Sequence, residues 1–472
     1  MNIPSIEKAR VRTDSKTNIK RDEYIIDKKV ENIGLNKNYC ILTYGCQMNV
    51  HDSENIAAIM EEMKYTKVST IDDADVIIVN TCAIRENAHN KVSGMLGRIK
   101  HLKEEKRDLV TIFCGCMAQE EGIVKEIKSK YKWIDIVMGT HNIHKLPSYL
   151  EKVSNTDQQI ECFSIEGDVI EGIPVKRDSK YKAWVNIMYG CDKFCTYCIV
   201  PYTRGKQRSR MPEDIIREVS DLYENGYKEV TLLGQNVNAY GLDLDIDYNM
   251  ADLLENVAKT GIERIRFVTS HPWDFTLDMI KVIAKYDNIM PYIHLPLQSG
   301  SNNILKKMNR RYTKEEYIEL FNNIKKYIPN CSISTDIIVG FPNETEEDFN
   351  DTLDVVKKLK FDLAYTFIYS PREGTPASRM KDDIQLEVKK ERLARLNELI
   401  NKYAKENNDK YLNKEVMVLL EDFSDKGGKL MGYTDTMKLV NVVAGEEYLG
   451  RIVKVKITDV KTWSMDGILI DD

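Results

Sequence analysis

The stretch Gly190-Cys191-Asp192-Lys193-Phe194-Cys195-Thr196-Tyr197-Cys198 holds three cysteines in one loop with the spacing C-x3-C-x2-C. A four-iron cluster normally takes four cysteine ligands. Three thiolates leave one iron open, and an open metal position is a place for chemistry rather than for structure. The alternative is a structural zinc knuckle or a disulfide pair. Zinc needs a fourth Cys or His at matching spacing, and none follows closely. The same loop anchors the reading of the fold. The apolar run Ala183–Tyr189 leads straight into it, and five more runs follow: Glu229–Leu233, Arg264–Val268, Met290–Leu295, Ser332–Val339 and Asp362–Tyr369. Stretches with helical spacing lie between them, such as Pro212–Asn225, Leu277–Lys285, Lys314–Tyr327 and Thr345–Leu359. Six β/α units predict an open or partial β/α barrel over residues 177–407, with its chemistry on the loops after the strands.

On the N-terminal side, residues 37–160 alternate short apolar runs with amphipathic stretches. The runs are Tyr39–Gly45, Asp75–Asn80, Leu109–Phe113 and Ile134–Met138, with helical spacing over Asp52–Met63 and Ala88–Leu102. This alternation predicts βαβ units and an α/β domain with a parallel sheet. Residues 1–36 are polar and aperiodic and read as a mobile extension. On the C-terminal side, Lys389–Lys410 reads as a connecting helix. Residues 410–472 turn β-branched and alternating, with five short strands predicting a small OB-like β-barrel.

Three of the N-terminal runs are each followed closely by a cysteine: Cys46, Cys82 and Cys116. Loops after the strands of a parallel sheet share one edge, so cysteines far apart in sequence converge there. Three converging thiolates make a second candidate cluster site, again one ligand short. The competing reading is that these are small buried residues, as free cysteine often is. Cys114 lies two residues before Cys116 and competes with it; Cys116 is preferred because Cys46 and Cys82 also sit beyond their strands. Cys40, Cys162 and Cys331 lack a partner pattern and read as structural.

The 472 residues imply two to four domains, and 42% hydrophobic with 30% charged residues is a globular composition. No apolar stretch reaches the length of a membrane span, and the first residues lack the apolar core of a signal peptide. A cytoplasmic chain is therefore expected, where ten cysteines argue for metal ligation over disulfides. The net charge of −6 excludes a generally basic nucleic-acid binder, so any such surface must be local.

Thr43-Tyr44-Gly45-Cys46-Gln47-Met48-Asn49, Asn80-Thr81-Cys82-Ala83-Ile84-Arg85-Glu86 and Gly115-Cys116-Met117-Ala118-Gln119 together resemble the N-terminal domain of the methylthiotransferases. Gly190–Cys198 followed by Ile199–Arg210 resembles the radical S-adenosylmethionine (SAM) core of that family, and the tail resembles its RNA-binding TRAM domain. Gln47-Met48-Asn49 after the first cysteine is similar to the tRNA-modifying branch. The resemblance implies methylthiolation at C2 of N6-(dimethylallyl)adenosine beside the anticodon. It implies two [4Fe-4S] clusters, one on Cys191, Cys195 and Cys198 that cleaves SAM, and one on Cys46, Cys82 and Cys116 that binds the sulfur to be inserted. It also implies tRNA, a reduced electron-donor protein and a sulfur donor as partners. Related branches act on threonylcarbamoyl adenosine or on a ribosomal-protein aspartate, and a non-catalytic iron–sulfur RNA-binding regulator is the reading from another class.

The superfamily places a hydrophobic residue beside the adenine of SAM where Tyr197 stands. Gly234, Gln235 and Asn236 follow the second barrel strand, at the superfamily's amino-group-binding motif; the usual form ends in an acid, and here an amide stands there. Ser270, Gln298 and Gly340 end other strands and are candidate pocket residues. For RNA, Lys176, Arg177, Lys180, Lys182, Lys193, Arg204, Lys206, Arg208, Arg210 and Arg217 form a basic run around the second triad, expected either to hold phosphates or to be a solvated face. From Tyr411 onward, eight Lys and Arg face eleven Asp and Glu, so an RNA role of the tail rests on resemblance, with Lys429, Lys438, Arg451, Lys454 and Lys456 as candidates.

Overall fold

The computed structural model describes residues 4–5, 20–83, 86–153, 158–162, 168–425 and 427–470. Ile84 and Arg85 of the second cysteine motif, and most of the first nineteen residues, lie outside the described residues.

The strand Val76–Thr81 shows why the first domain is a layered parallel sheet. Its sequence VIIVNT is buried on both faces, the pattern of a central parallel strand covered above and below. Ile77 and Val79 pack to one side with Val92, Leu96 and Ile99 of the helix Glu86–Glu105. Val76 and Ile78 pack to the other with Ile56, Ile59 and Met60 of the helix Gln47–Glu62. Six parallel strands result, in the order Thr66–Lys67, Asn38–Thr43, Val76–Thr81, Val110–Gly115, Ile136–Met138, Gln159–Glu161.

The second domain is the expected partial barrel. Lys182–Asn186, Glu229–Leu233 and Arg264–Phe267 form one parallel sheet. Tyr292–His294, Ser332–Val339 and Leu363–Ile368 form another. A single bridge between Ile265 and Ile289 joins the two. Among the described residues the first and last of the six strands are open edges, and the helices pack outside in one apolar core. The five C-terminal strands close a barrel in the order Glu415–Phe423, Leu430–Thr434, Leu439–Val443, Met465–Leu469, Ile452–Val460.

This small barrel docks at the amino ends of the large barrel's strands. Arg264, opening the third strand, donates to the carbonyls of Tyr433 (2.8 Å) and Met417 (3.0 Å). Lys438 reaches Asp362 at 2.9 Å, and Lys182 pairs with Glu421. The opposite end, where the cysteine loop lies, is left for the first domain.

Part of the expected mobile extension is docked. Arg21–Glu23 pairs in parallel with Val169–Glu171, Val30 is buried, and Tyr24, Ile26 and Ile33 pack against the first domain's core. Single apolar anchors in an extended segment produce no period, so the pattern was silent about them.

Candidate active site

Cys191, Cys195 and Cys198 occupy the loop after the first barrel strand, held by chain that follows much later. Thr196 N donates to the Met308 carbonyl (3.0 Å), Thr196 Oγ1 to that of Lys307 (2.8 Å), and Asn309 Nδ2 to that of Phe194 (3.1 Å). Burial pushes the Cys191 thiol up to about 12 and the Cys198 thiol higher still. Loading a metal here therefore releases protons. Arg310 lies behind the loop, 4% exposed. Its Nη1 is 3.5 Å from both Cys195 Sγ and Tyr197 Oη, its Nη2 donates to the Pro296 carbonyl (3.1 Å), and its Nε donates to Tyr312 Oη (3.0 Å). Among the described residues it has no carboxylate partner. A buried cation without a counter-ion is costly. An anionic thiolate-ligated cluster at Cys195 fits that vacancy of charge.

Cys46, Cys82 and Cys116 follow three neighbouring strands of the parallel sheet, so their loops share one edge. Cys46 caps the helix Gln47–Glu62, Cys82 directly follows Val76–Thr81, and Cys116 opens a 3-10 turn after Val110–Gly115. The glycines before two of them permit the approach. A Cβ on Gly45 (φ 141°) would lie 2.6 Å from Cys82 Cβ, and one on Gly115 (φ 90°) 2.4 Å from the Thr81 carbonyl oxygen. Asn49 and Asn80 then staple the edge. Asn49 Nδ2 donates to Asn80 Oδ1 (3.2 Å) and the Thr81 carbonyl (3.0 Å), and Asn80 Nδ2 donates to the Asn49 carbonyl and Ser53 Oγ, both at 2.9 Å. A hydrogen bond with Cys82, helped by Arg204, holds the Cys46 thiol down to about 6 against the effect of burial. Cys114 stays in its strand, in the apolar core with Ile112, Ile136 and Met138. Cys40 and Cys162 are likewise core residues of the first domain, and Cys331 of the second.

The two domains meet beside these loops. Ala83 and Cys116 of the first domain share an apolar cluster with Phe194, Ile199 and Tyr202 of the second, and Phe194 packs edge-on to Tyr202 at 5.9 Å. Among the described residues no three His, Cys, Asp or Glu side chains are arranged around a single metal ion.

The other expected residues line the carboxyl rim. Gln235, Asn236, Ser270 and Gln298 each keep a buried polar side-chain atom without a partner among the described residues, as does His271 Nε2. Buried polar atoms are nearly always hydrogen-bonded, so this row of orphans fits a polar ligand such as SAM. Gln235 Oε1 accepts from the Gly190 amide, tying the second strand to the cysteine loop. Gly234 stands against Met188, where a Cβ would be 2.6 Å from Cγ. Asp274 accepts from Asn236 Nδ2 and pairs with Lys193, both at 2.7 Å. Tyr197 packs with Ile304, Met308, Phe341 and Tyr369. Gly340 faces elsewhere: its amide donates to Glu344 Oε2 (2.7 Å), and its α-carbon abuts Lys389.

The basic run is not the free patch that was expected. Arg177 and Arg210 share Glu218, Arg210 also binds Glu171, Arg204 binds Asp52, and Lys176, Lys182 and Arg217 pair with Glu61, Glu421 and Asp214. Apart from Arg217 with Asp214 and Arg210 with Glu218, these charges are opposite carboxylates far off in sequence, a pairing that a count along the chain does not see. Lys438 of the small barrel is similarly committed to Asp362, and Lys429 to Asp466. Arg310, His271, Asp274 and Asp52 were missed. The only local signal for His271 and Asp274 was their place in a strand-end loop.

Comparison with known proteins agrees with this geometry. The radical SAM superfamily matches residues 185–356, uncharacterized protein family UPF0004 residues 38–139, and the TRAM domain residues 409–470. The solved radical SAM methyltransferase TsrM from Kitasatospora setae shares the fold at a TM-score of 0.53 and 13% identity, over 72% of this chain and 76% of that one. Fold and cysteine loop together define a radical SAM enzyme, a class that implies a [4Fe-4S] cluster and SAM. The tRNA-2-methylthio-N(6)-dimethylallyladenosine synthase of Halalkalibacterium halodurans is 53% identical over 99% of this chain and 88% of its own length. That of Bacillus cytotoxicus is 54% identical over 99% and 92%. The chain belongs to the family of tRNA-2-methylthio-N(6)-dimethylallyladenosine synthases.

Proposed function

We propose that this protein methylthiolates C2 of N6-(dimethylallyl)adenosine beside the anticodon of tRNA, giving 2-methylthio-N6-(dimethylallyl)adenosine. The observation that carries this is the near-full-length identity to relatives of that name, in a chain where Cys116 of one triad shares an apolar cluster with Phe194 of the other triad's loop. C2 of adenine has an sp² C–H bond with neither useful acidity nor a leaving group, which suits a radical route.

In this reading residues 37–160 carry an auxiliary cluster on Cys46, Cys82 and Cys116, residues 177–407 carry the SAM-cleaving cluster on Cys191, Cys195 and Cys198, and residues 410–472 face RNA. The clusters and SAM supply the electron, the adenosyl radical, the methyl group and the docking point for sulfur. The protein's own residues position and insulate them. Gln235, Asn236, Ser270 and Gln298 offer their unpaired polar atoms to SAM, Arg310 balances the negative charge at Cys195, and Phe194, Ile199 and Tyr202 exclude water between the triads. A reduced protein donates electrons, and a separate donor supplies sulfur. No described helix is long and apolar enough to cross a membrane, and a cytoplasmic reaction is the reading that a tRNA substrate supports.

The test is nucleoside analysis of tRNA from a strain lacking the gene. Loss of the methylthiolated nucleoside with accumulation of N6-(dimethylallyl)adenosine is expected. Its persistence, with loss of the methylthio form of threonylcarbamoyl adenosine or of a ribosomal-protein aspartate, would overturn the assignment in favour of a sister activity.

A further inference from the structure

Arg204 leaves the segment after the second triad and enters the first domain. Its Nη2 donates to Asp52 Oδ2 at 2.6 Å and its Nη1 lies 3.5 Å from Asp52 Oδ1, while its Nε donates to Cys116 Sγ at 3.4 Å. Arg204, Asp52 and Cys116 are all at most 5% exposed. The geometry is fixed from both sides: Arg204 N donates to the Val200 carbonyl (2.8 Å), its carbonyl accepts from Arg208 Nη2 (3.3 Å), and Asp52 sits on the helix that Cys46 caps.

A buried ion pair is weak support for stability, because desolvation offsets its attraction. What this pair does do is hold one N–H on a sulfur. Hydrogen bonds to ligand sulfurs and nearby charge are the levers that set an iron–sulfur potential. A guanidinium stays charged, so the bond to Cys116 persists at any working pH. The other triad has a buried arginine too, but Arg310 lacks the carboxylate that Arg204 has.

We propose that Arg204 is a positioning residue that raises the reduction potential of a cluster on Cys46, Cys82 and Cys116, and that Asp52 attenuates it. This rests on the auxiliary-cluster reading above. The N–H on Cys116 Sγ withdraws electron density from the iron and favours the reduced cluster, whereas the Asp52 carboxylate cancels part of the positive charge. Removing one partner or the other therefore moves the potential in opposite directions, although both break the same pair.

The experiment uses the full chain with Cys191, Cys195 and Cys198 all changed to Ala, reconstituted with iron and sulfide and titrated redox-wise by electron paramagnetic resonance. Arg204→Gln should shift the midpoint to more negative potential, Arg204→Lys should recover part of the shift, and Asp52→Asn should shift it to more positive potential. Either single neutralisation leaves one buried charge alone, so the neutral pair R204Q/D52N carries the test if a single variant does not fold; it too should titrate below the parent. Unmoved potentials, or R204Q and D52N moving together, would overturn the inference while leaving the auxiliary site intact. A background protein that holds no iron would overturn the auxiliary-cluster reading and the inference with it.

Discussion

Cys191, Cys195 and Cys198 lie within eight residues of one loop, whereas Cys46, Cys82 and Cys116 are gathered from three strands spread over 71 residues. The first triad is a local device, legible as a motif and supported by chain packed behind it. The second exists only because parallel strands end at one sheet edge, with Gly45 and Gly115 allowing contact and Asn49 and Asn80 locking it. Their arginines differ as well. Arg204 is neutralised by Asp52, and Arg310 has no acid among the described residues. A local loop with an unbalanced cation depends on its cluster for electrostatic balance, while a topological triad depends on the fold.

The largest effect separates the triads by activity. A Cys46/Cys82/Cys116→Ala variant should drop from roughly eight irons per chain to roughly four and still cleave SAM. A Cys191/Cys195/Cys198→Ala variant should also keep roughly four irons but lose SAM cleavage entirely. Iron assay with measurement of 5′-deoxyadenosine checks both. SAM cleavage surviving in the second variant would dissolve the distinction.

The arginines provide the next contrast. Arg310→Met should weaken iron retention at the second triad about 10- to 100-fold, the usual cost of losing a partner behind a metal ligand. The apo protein should melt no lower than the parent, since an uncompensated buried cation has gone. Arg204→Met should lower apo melting, because it strands Asp52. Thermal unfolding of both apo variants checks the pair. Equal losses from both would mean that Arg310 has a counter-ion after all.

Much of this was legible in the residues. Helices such as Leu277–Lys285 and Lys314–Tyr327 fall where the apolar spacing put them, and the strand ends before Cys46, Cys82 and Cys191 follow from runs that stop at polar residues. Contacts that close over long separations were not legible. Arg310 lies 115 residues from Cys195, and Arg204 lies 152 from Asp52. Nothing in the run Met308–Tyr312 marks it as a cluster neighbour, and nothing in a string of arginines shows that most are already paired.

The smallest effect concerns two cysteines that differ by two positions. Cys114 pairs in register with Asn80 and Met138 inside its strand, and its side chain belongs to the core with Ile112 and Ile136. Cys116 lies past the strand end, next to Arg204. Cys114, by contrast, is held within the strand and the core, short of the sheet edge where the other loops converge. Cys114→Ala should therefore cost about 1 kcal/mol of stability from the small cavity and keep the parent's iron. Cys116→Ala should lose the first-domain iron with SAM cleavage intact. Iron loss in the Cys114 variant equal to that in the Cys116 variant would mean that the sheet edge, and not the cysteine beyond it, had been misread.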